Sequence, residues 1–334
     1  MKKPDVASFT AANAMPWKTI HDLELVESMV KHGKILPRHM QIGPTSRCNL
    51  DCPFCSCKNR SQTELSLGQL KEIVDIASSL KTVGFTVTGD GEPLLHPEIN
   101  EFIEYAVIHG IKIGLVSNGL KLTELDSSIV PMITWARISF SDFLVFNDHF
   151  IRQMDYLRKH SQGKVDLAFS YVVDPSHQKY HAQKQLENIK QVVGYANKYH
   201  FTHVRLVADL YQTQSVDMKK LKADLGAFDT RLCIFQPRTE HTKGAKKCLI
   251  SLLKPMIASD GYLYPCCGVQ YALPKEEEQR MFPLRMRMGH YRELATIIDR
   301  QLCFDGSVCS VCYYENYNTM LSQICKSYKH EQFV

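Results

Sequence analysis

No stretch of this 334-residue chain approaches the roughly 20 consecutive apolar residues of a membrane-spanning helix, so a helical membrane protein is excluded. The opening residues, MKKPDVASFTAANAMPW, hold two lysines with no apolar run behind them and do not read as a secretory signal. Charge of one sign is scarce too. Forty lysines and arginines against 35 acids leave a formal +5, which permits an anionic partner such as a nucleotide without requiring one. No segment is low in complexity, and a hydrophobic content of 44% with 22% charged residues gives no reason to expect disorder. Cysteine, by contrast, is plentiful, with twelve in the chain. In a cytoplasmic, reducing setting these read as metal ligands or reactive thiols rather than as a disulfide frame.

From about residue 38 to 212, short β-rich runs alternate with longer amphipathic ones. HMQIGPT, VGFTVTG, IKIGLVSN, WARISFS, VDLAFSYVV and HVRLVADL are the strand candidates, each suited to a strand buried on both faces of a parallel sheet. Between them, SLGQLKEIVDIASSL sets Leu70, Ile73, Val74 and Ala77 on one helical face behind a candidate N-cap, Ser66. HPEINEFIEYAVIHG has Pro97 near its start and Gly110 past its end. Six such β–α repeats predict an α/β fold, a partial (β/α)6 barrel. Residues 1–37 hold one amphipathic segment, KTIHDLELVESMVKHGK, and form a helical preface. Residues 213–334 read as a small cysteine-rich domain with a β-hairpin at Asp260–Gly261, a charged loop LPKEEEQRMFPL and a terminal helix.

RCNLDCPFCSCKNR follows the first strand and puts Cys48, Cys52 and Cys55 at C-x-x-x-C-x-x-C spacing. In a β/α barrel the loops after the strands form the active face. Three thiolates can hold three irons of a [4Fe–4S] cluster and leave the fourth open to something other than protein. The alternative is a structural zinc site that recruits Cys57 or a distant residue. The loop resembles the signature of the radical S-adenosylmethionine (SAM) superfamily, with Phe54 as the aromatic residue beside the adenine. That resemblance implies that the amino and carboxylate groups of SAM take the fourth iron. Cys57 lies outside the signature and is read as a bystander. TGDGEPLLHP, after the second strand, is similar to the family's Gly-Gly-Glu-Pro motif, which receives the methionine amino group. Gly89, Gly91 and Glu92 match it, and Asp90 is a departure. The resemblance further implies that Ser117 and Asn118 lie near the ribose, and that Ser139, Ser170 and Arg205 reach SAM's hydroxyls or carboxylate.

Cys248, then twelve residues to Gly261, four more to Cys266, and Cys309-x-x-Cys312 after a gap make a second set able to close a tetrahedral thiolate site, for zinc or for iron. This spacing is similar to the twitch form of the SPASM auxiliary-cluster domain, which implies one auxiliary [4Fe–4S] cluster with four cysteine ligands. Cys267 and Cys303 compete for the register. A cluster with no vacant iron is better suited to moving an electron than to binding substrate.

The resemblance implies reductive cleavage of SAM to methionine and a 5′-deoxyadenosyl radical, with an electron donor such as flavodoxin or ferredoxin, and hydrogen-atom abstraction from an unreactive carbon. An auxiliary cluster that accepts the substrate electron gives dehydrogenation, as in the twitch enzyme that oxidises an aminocyclitol alcohol. A thiol that returns a hydrogen atom gives epimerisation, and Cys233, Cys303 and Cys325 are the spare thiols. A small-molecule substrate (sugar, aminocyclitol or nucleoside-like) is the first expectation, because the 47 residues before Cys48 leave little room for a peptide-recognition module. A peptide is second. A nucleic-acid base is third, on the strength of KGAKK, Arg285 and Arg287, charges that read more simply as a solvated face. A zinc-stabilised binding protein is the non-enzymatic alternative.

Overall fold

A computed structural model describes residues 11–57, 60–141, 146–173, 182–273 and 283–329. Helices α1 (Ala11–His21) and α2 (Leu23–His32) part at Asp22, whose carboxylate accepts the Leu25 N–H. The one amphipathic segment anticipated there is therefore two helices. Aspartate bonds its own neighbouring backbone and so favours a helix start over a helix interior.

β1 (His39–Ile42) is followed by the cysteine loop and then α3 (Leu67–Ser79). Helix α3 begins where the sequence predicts, in a capping box between Ser66 and Gln69. Its Leu70, Ile73, Val74 and Ala77 are all buried, and full burial of each larger side chain contributes roughly 1.5–3 kcal/mol. β2 (Gly84–Val87), α4 (Ile99–Ile108), β3 (Lys112–Ser117) and β4 (Ile133–Phe140) come next. Between β3 and β4 only two 3-10 turns form, at Leu122–Glu124 and Val130–Met132, where paired serines and Pro131 interrupt any longer helix. One of the six anticipated repeats thus lacks its α-helix.

α5 (Asp148–Ser161), β5 (Asp166–Val173), α6 (Ala182–Lys198) and β6 (His203–Ala208) continue the alternation. α7 (Met218–Asp224) then leads to a strand the sequence did not announce, β7 (Cys233–Gln236). It is four residues long and stops at Pro237, too short for a period to be read. α8 (Ile250–Leu253) precedes the hairpin of β8 (Met256–Ile257) and β9 (Tyr262–Tyr264), which turns at Asp260–Gly261 as anticipated. β10 (Gly289–His290), α9 (Leu294–Asp299) and α10 (Glu315–Ile324) follow. Most of the loop LPKEEEQRMFPL lies outside the described residues.

All ten strands join one sheet, in the order β10-β9-β8-β1-β2-β3-β4-β5-β6-β7. β8 and β1 to β7 are parallel, while β9 and β10 are antiparallel additions. Among the described residues β7 and β10 end the order and do not pair with each other, so the sheet is open, as a partial barrel requires. Along β4 the side chains alternate. Ala136, Ile138 and Phe140 enter the hydrophobic core under the helices, which leaves Trp135, Arg137 and Ser139 on the inner face.

Candidate active site

Cys48, Cys52 and Cys55 lie in the loop after β1 as free, partly exposed thiols, with a turn closed by the Cys55 N–H to the Cys52 carbonyl at 2.9 Å. Phe54 occupies that turn, half-buried. Burial pushes the Cys52 thiol up to about 11, and Cys55 and Cys48 add to the effect as like charges. Burial raises Cys48 as well. Cys48 and Cys52 therefore ionise beside a third thiolate only around a cation. Cys55 goes the other way. A hydrogen bond from Cys57 lowers it against burial, with help from Arg60.

Two residues here escaped the sequence reading. Arg60 places Nη2 3.2 Å from Cys55 Sγ and Nε 3.2 Å from the Asp90 carbonyl, bridging two loops. Cys57 is no bystander. It is buried, its N–H reaches Cys55 Sγ at 3.4 Å and its thiol reaches the Gly89 carbonyl at 3.2 Å. The only available signal was proximity in sequence, which does not specify a direction.

The loop after β2 lies directly on the cysteine loop. A Cβ at Gly91 would stand 2.1 Å from the Arg47 carbonyl oxygen, and the Glu92 N–H donates to that oxygen at 2.8 Å. Gly89 holds φ at +121°, which again requires glycine. The Glu92 carboxylate is buried and accepts from Ser117 Oγ (2.8 Å), the Asn118 N–H (2.7 Å) and the Leu94 N–H (3.2 Å). Burial raises its pKa and those three bonds oppose the rise. Asn118 Nδ2 also donates to Asn49 Oδ1 at 2.7 Å. Glu92, Ser117 and Asn118 thus tie the first three loops together. Asp90 is wholly buried. Its Oδ2 accepts the Ser259 N–H, and its Oδ1 has no hydrogen-bond partner among the described residues.

Strand register brings the later polar residues into one row. Ser139 pairs with Ser170, and Ser170 with Arg205, while Asn118 follows the Ser117–Ile138 pair at the adjoining position. Arg205 forks Nε and Nη2 onto Gln236 Oε1 of β7, at 3.1 and 2.8 Å.

The second cysteine set converges on one cavity. Isolated bridges pair Thr242 with Cys312 and Cys248 with Phe304, and the cavity between them is lined by Cys248, Cys266, Cys309 and Cys312. Cys266 Sγ accepts the Gly268 N–H at 3.2 Å and Cys312 Sγ the Tyr314 N–H at 3.3 Å. Burial pushes Cys248 up to about 12 and Cys309 to about 11. Cys267 turns instead to Tyr314 Oη at 3.5 Å, and neither it nor Cys303 lines the cavity. Cys233 opens β7 and joins the hydrophobic core, away from the loops that follow the strands. Cys303 and Cys325 pack at the edge of that core, Cys325 directly after α10. Among the described residues no three His, Cys, Asp or Glu side chains are close enough to hold a single metal ion. Arg287 is not on a solvated face: it pairs with Asp260 at 2.8 Å and lies 3.7 Å over the Tyr262 ring. No helix among the described residues is long and apolar enough to cross a membrane.

The chain is similar to several known proteins. It is 35% identical over 96 residues to an S-adenosylmethionine-dependent nucleotide dehydratase of Selenomonas ruminantium, covering 28% of this chain and 33% of that protein. It is 36% identical over 90 residues to the PqqA peptide cyclase of Streptomyces rochei, covering 26% and 24%. The matched segments span about a third or less of these relatives. The fold is shared with Streptococcus suis SuiB, solved bound to the precursor peptide SuiA, at a TM-score of 0.55 and 16% identity, over 91% of this chain and 78% of that one. The radical SAM superfamily model matches residues 42–211, just over half of the 334. Because that span opens at the end of β1 and closes just after β6, taking in the loops built around Cys48 and Glu92, this chain belongs to the radical SAM superfamily.

Proposed function

We propose that the chain is a radical SAM enzyme that modifies a peptide. Cys48, Cys52 and Cys55 hold a [4Fe–4S] cluster, and SAM completes it. The observation that carries this reading is the cysteine loop itself: three partly exposed thiols in one short loop, Cys48 and Cys52 resisting ionisation and Cys55 favoured as a thiolate beside the Arg60 guanidinium, set against the Gly89–Glu92 loop. Such a donor set fits a cationic cluster. When bound, cluster and SAM together supply hydrogen-atom abstraction from an unreactive carbon. The chain's own residues do the rest. Gly89 and Gly91 admit the ligand to the backbone, Phe54 offers a ring to the adenine, and Ser139 and Ser170 offer hydroxyls to the nucleoside. Glu92 fixes the loops that carry these groups, using three protein donors.

Cys248, Cys266, Cys309 and Cys312 form the ligand set of an auxiliary [4Fe–4S] cluster in this proposal. The shared cavity and the N–H bonds to Cys266 and Cys312 support it, and Cys267 and Cys303 stand outside it. Four thiolates would leave no vacant iron, so a cluster held there would supply electron transfer rather than a substrate-binding position. Cys233 is not retained as a hydrogen-atom donor, since it faces the core.

A peptide replaces the sugar or aminocyclitol first expected. The relative that cyclises a peptide supports this, and SuiB adds that the same fold accommodates one. A nucleotide is the second reading, supported by the dehydratase. Anaerobically reconstituted Cys48→Ala protein is expected to form no 5′-deoxyadenosine from SAM under dithionite, whereas the parent does. Formation at the parental rate in the variant would overturn the proposal.

A further inference from the structure

The inner face of the sheet carries positive charge that the cysteine chemistry does not use. Arg137 sits within β4 between the core residues Ala136 and Ile138, so the alternation turns it inward, and its guanidinium lies 5.5 Å from the Trp135 ring. Arg205 enters from β6, two strands away, oriented by Gln236. Two strand spacings are about 10 Å, a gap that two arginine side chains close between them. Arg238 follows the end of β7 in the left-handed region, at φ 57°, and its carbonyl accepts from Tyr313 Oη at 3.1 Å.

All three arginines are partly buried, and the charges of neighbouring arginines act on Arg137 and on Arg205. Burial pushes Arg137 down to about 10, with Arg238 as the next cause. Burial lowers Arg205 too, followed by Arg137 and Arg238. Among the described residues none of the three has a carboxylate partner. Tyr314 and Cys267 are the neighbours that most favour the charge on Arg205. Partly desolvated guanidinium groups held together without an anion are costly, and an oxyanion supplied by a ligand removes that cost through short charge-assisted hydrogen bonds. Arg205 and Arg238 also stand well away from the cysteine loop after β1. β6 and β7 are the strands furthest along the sheet from β1 on that side, and Tyr313 and Tyr314 line the second cysteine cavity.

The geometry points to an oxyanion subsite for the substrate, a carboxylate or a phosphate, held by Arg137, Arg205 and Arg238. It deepens the reading given above and rests on it for the word substrate. Arg205, which the sequence offered to SAM, is thereby assigned to the substrate.

The test uses the full reconstituted chain carrying Trp17→Phe, so that Trp135 is the only tryptophan. Acetyl-triglutamate probes the carboxylate source, inorganic pyrophosphate the phosphate source, and acetyl-triglutamine is the neutral control. Trp135 fluorescence is expected to saturate with at least one oxyanion and not with the control, and calorimetry should return the same affinity. The oxyanion that binds more tightly identifies the source. Arg137→Gln and Arg205→Gln each should weaken it about tenfold or more. Arg137→Lys, which keeps the charge, should lose less. Saturating SAM should leave the oxyanion affinity unchanged. Absence of saturation with both oxyanions, parental affinity in the glutamine variants, or displacement by SAM would each overturn the subsite. Failure of the parent to form 5′-deoxyadenosine would instead overturn the enzyme reading, and that assay is independent of the titration.

Discussion

Asp90 stands where its glycine-rich loop would otherwise have only backbone, and among the described residues one of its oxygens has a hydrogen bond and the other has none. Burial raises its carboxyl to about 8, from an ordinary value of 3.8. The folded chain therefore holds this proton more tightly than the unfolded chain does. The sign follows: the associated stability is complete below about pH 4 and is lost as pH rises through about 8. Asp90→Asn cannot ionise and keeps an oxygen for the Ser259 N–H. In urea unfolding of the iron-free chain, the variant should gain on the parent by at least about 1 kcal/mol between pH 5 and pH 9. An unchanged difference across that range would refute the burial account. The sequence marked Asp90 only as a departure from a pattern, because its partner Ser259 is 169 positions away.

Elements were legible where their signals are local. Ser66 and Gln69 announce α3 with a reciprocal pair of bonds three residues apart, and Asp260–Gly261 announces its turn with a dipeptide. Ser66→Ala should accordingly cost about 1 kcal/mol of stability in urea unfolding, while Ser66→Asp should restore most of it. Elements were illegible where tertiary contact decides. β7 is a strand because β6 lies beside it, and no four-residue run ahead of a proline reveals that. Asp22 divides the N-terminal helices by capping the second, although the apolar period continues across the break.

For the whole molecule, the spacing of Cys48, Cys52 and Cys55 was enough to anticipate one loop carrying all three thiols, since a short loop limits where its own thiols can go. Arg60, Arg137 and Arg238 were invisible in that role because only the assembled sheet brings them to bear on the thiols or on each other. The two proposed clusters would require about eight irons per chain, and Cys248→Ala with Cys309→Ala should leave about four, still in the loop after β1. Iron and sulfide analysis with Mössbauer spectra checks this, and retention of all eight irons would contradict the ligand assignment. The two cysteine sets are also mechanically joined. Ser259 binds Asp90 with its N–H and Thr63 with its hydroxyl, Ser56 bonds Gln270, and β8 pairs with β1. Ordering either set therefore steadies the other, and thermodynamic reciprocity makes the benefit equal in both directions. Filling one cage sharpens the appetite of its neighbour, so metal uptake should proceed cooperatively, with partly filled chains rarer than independent sites would allow.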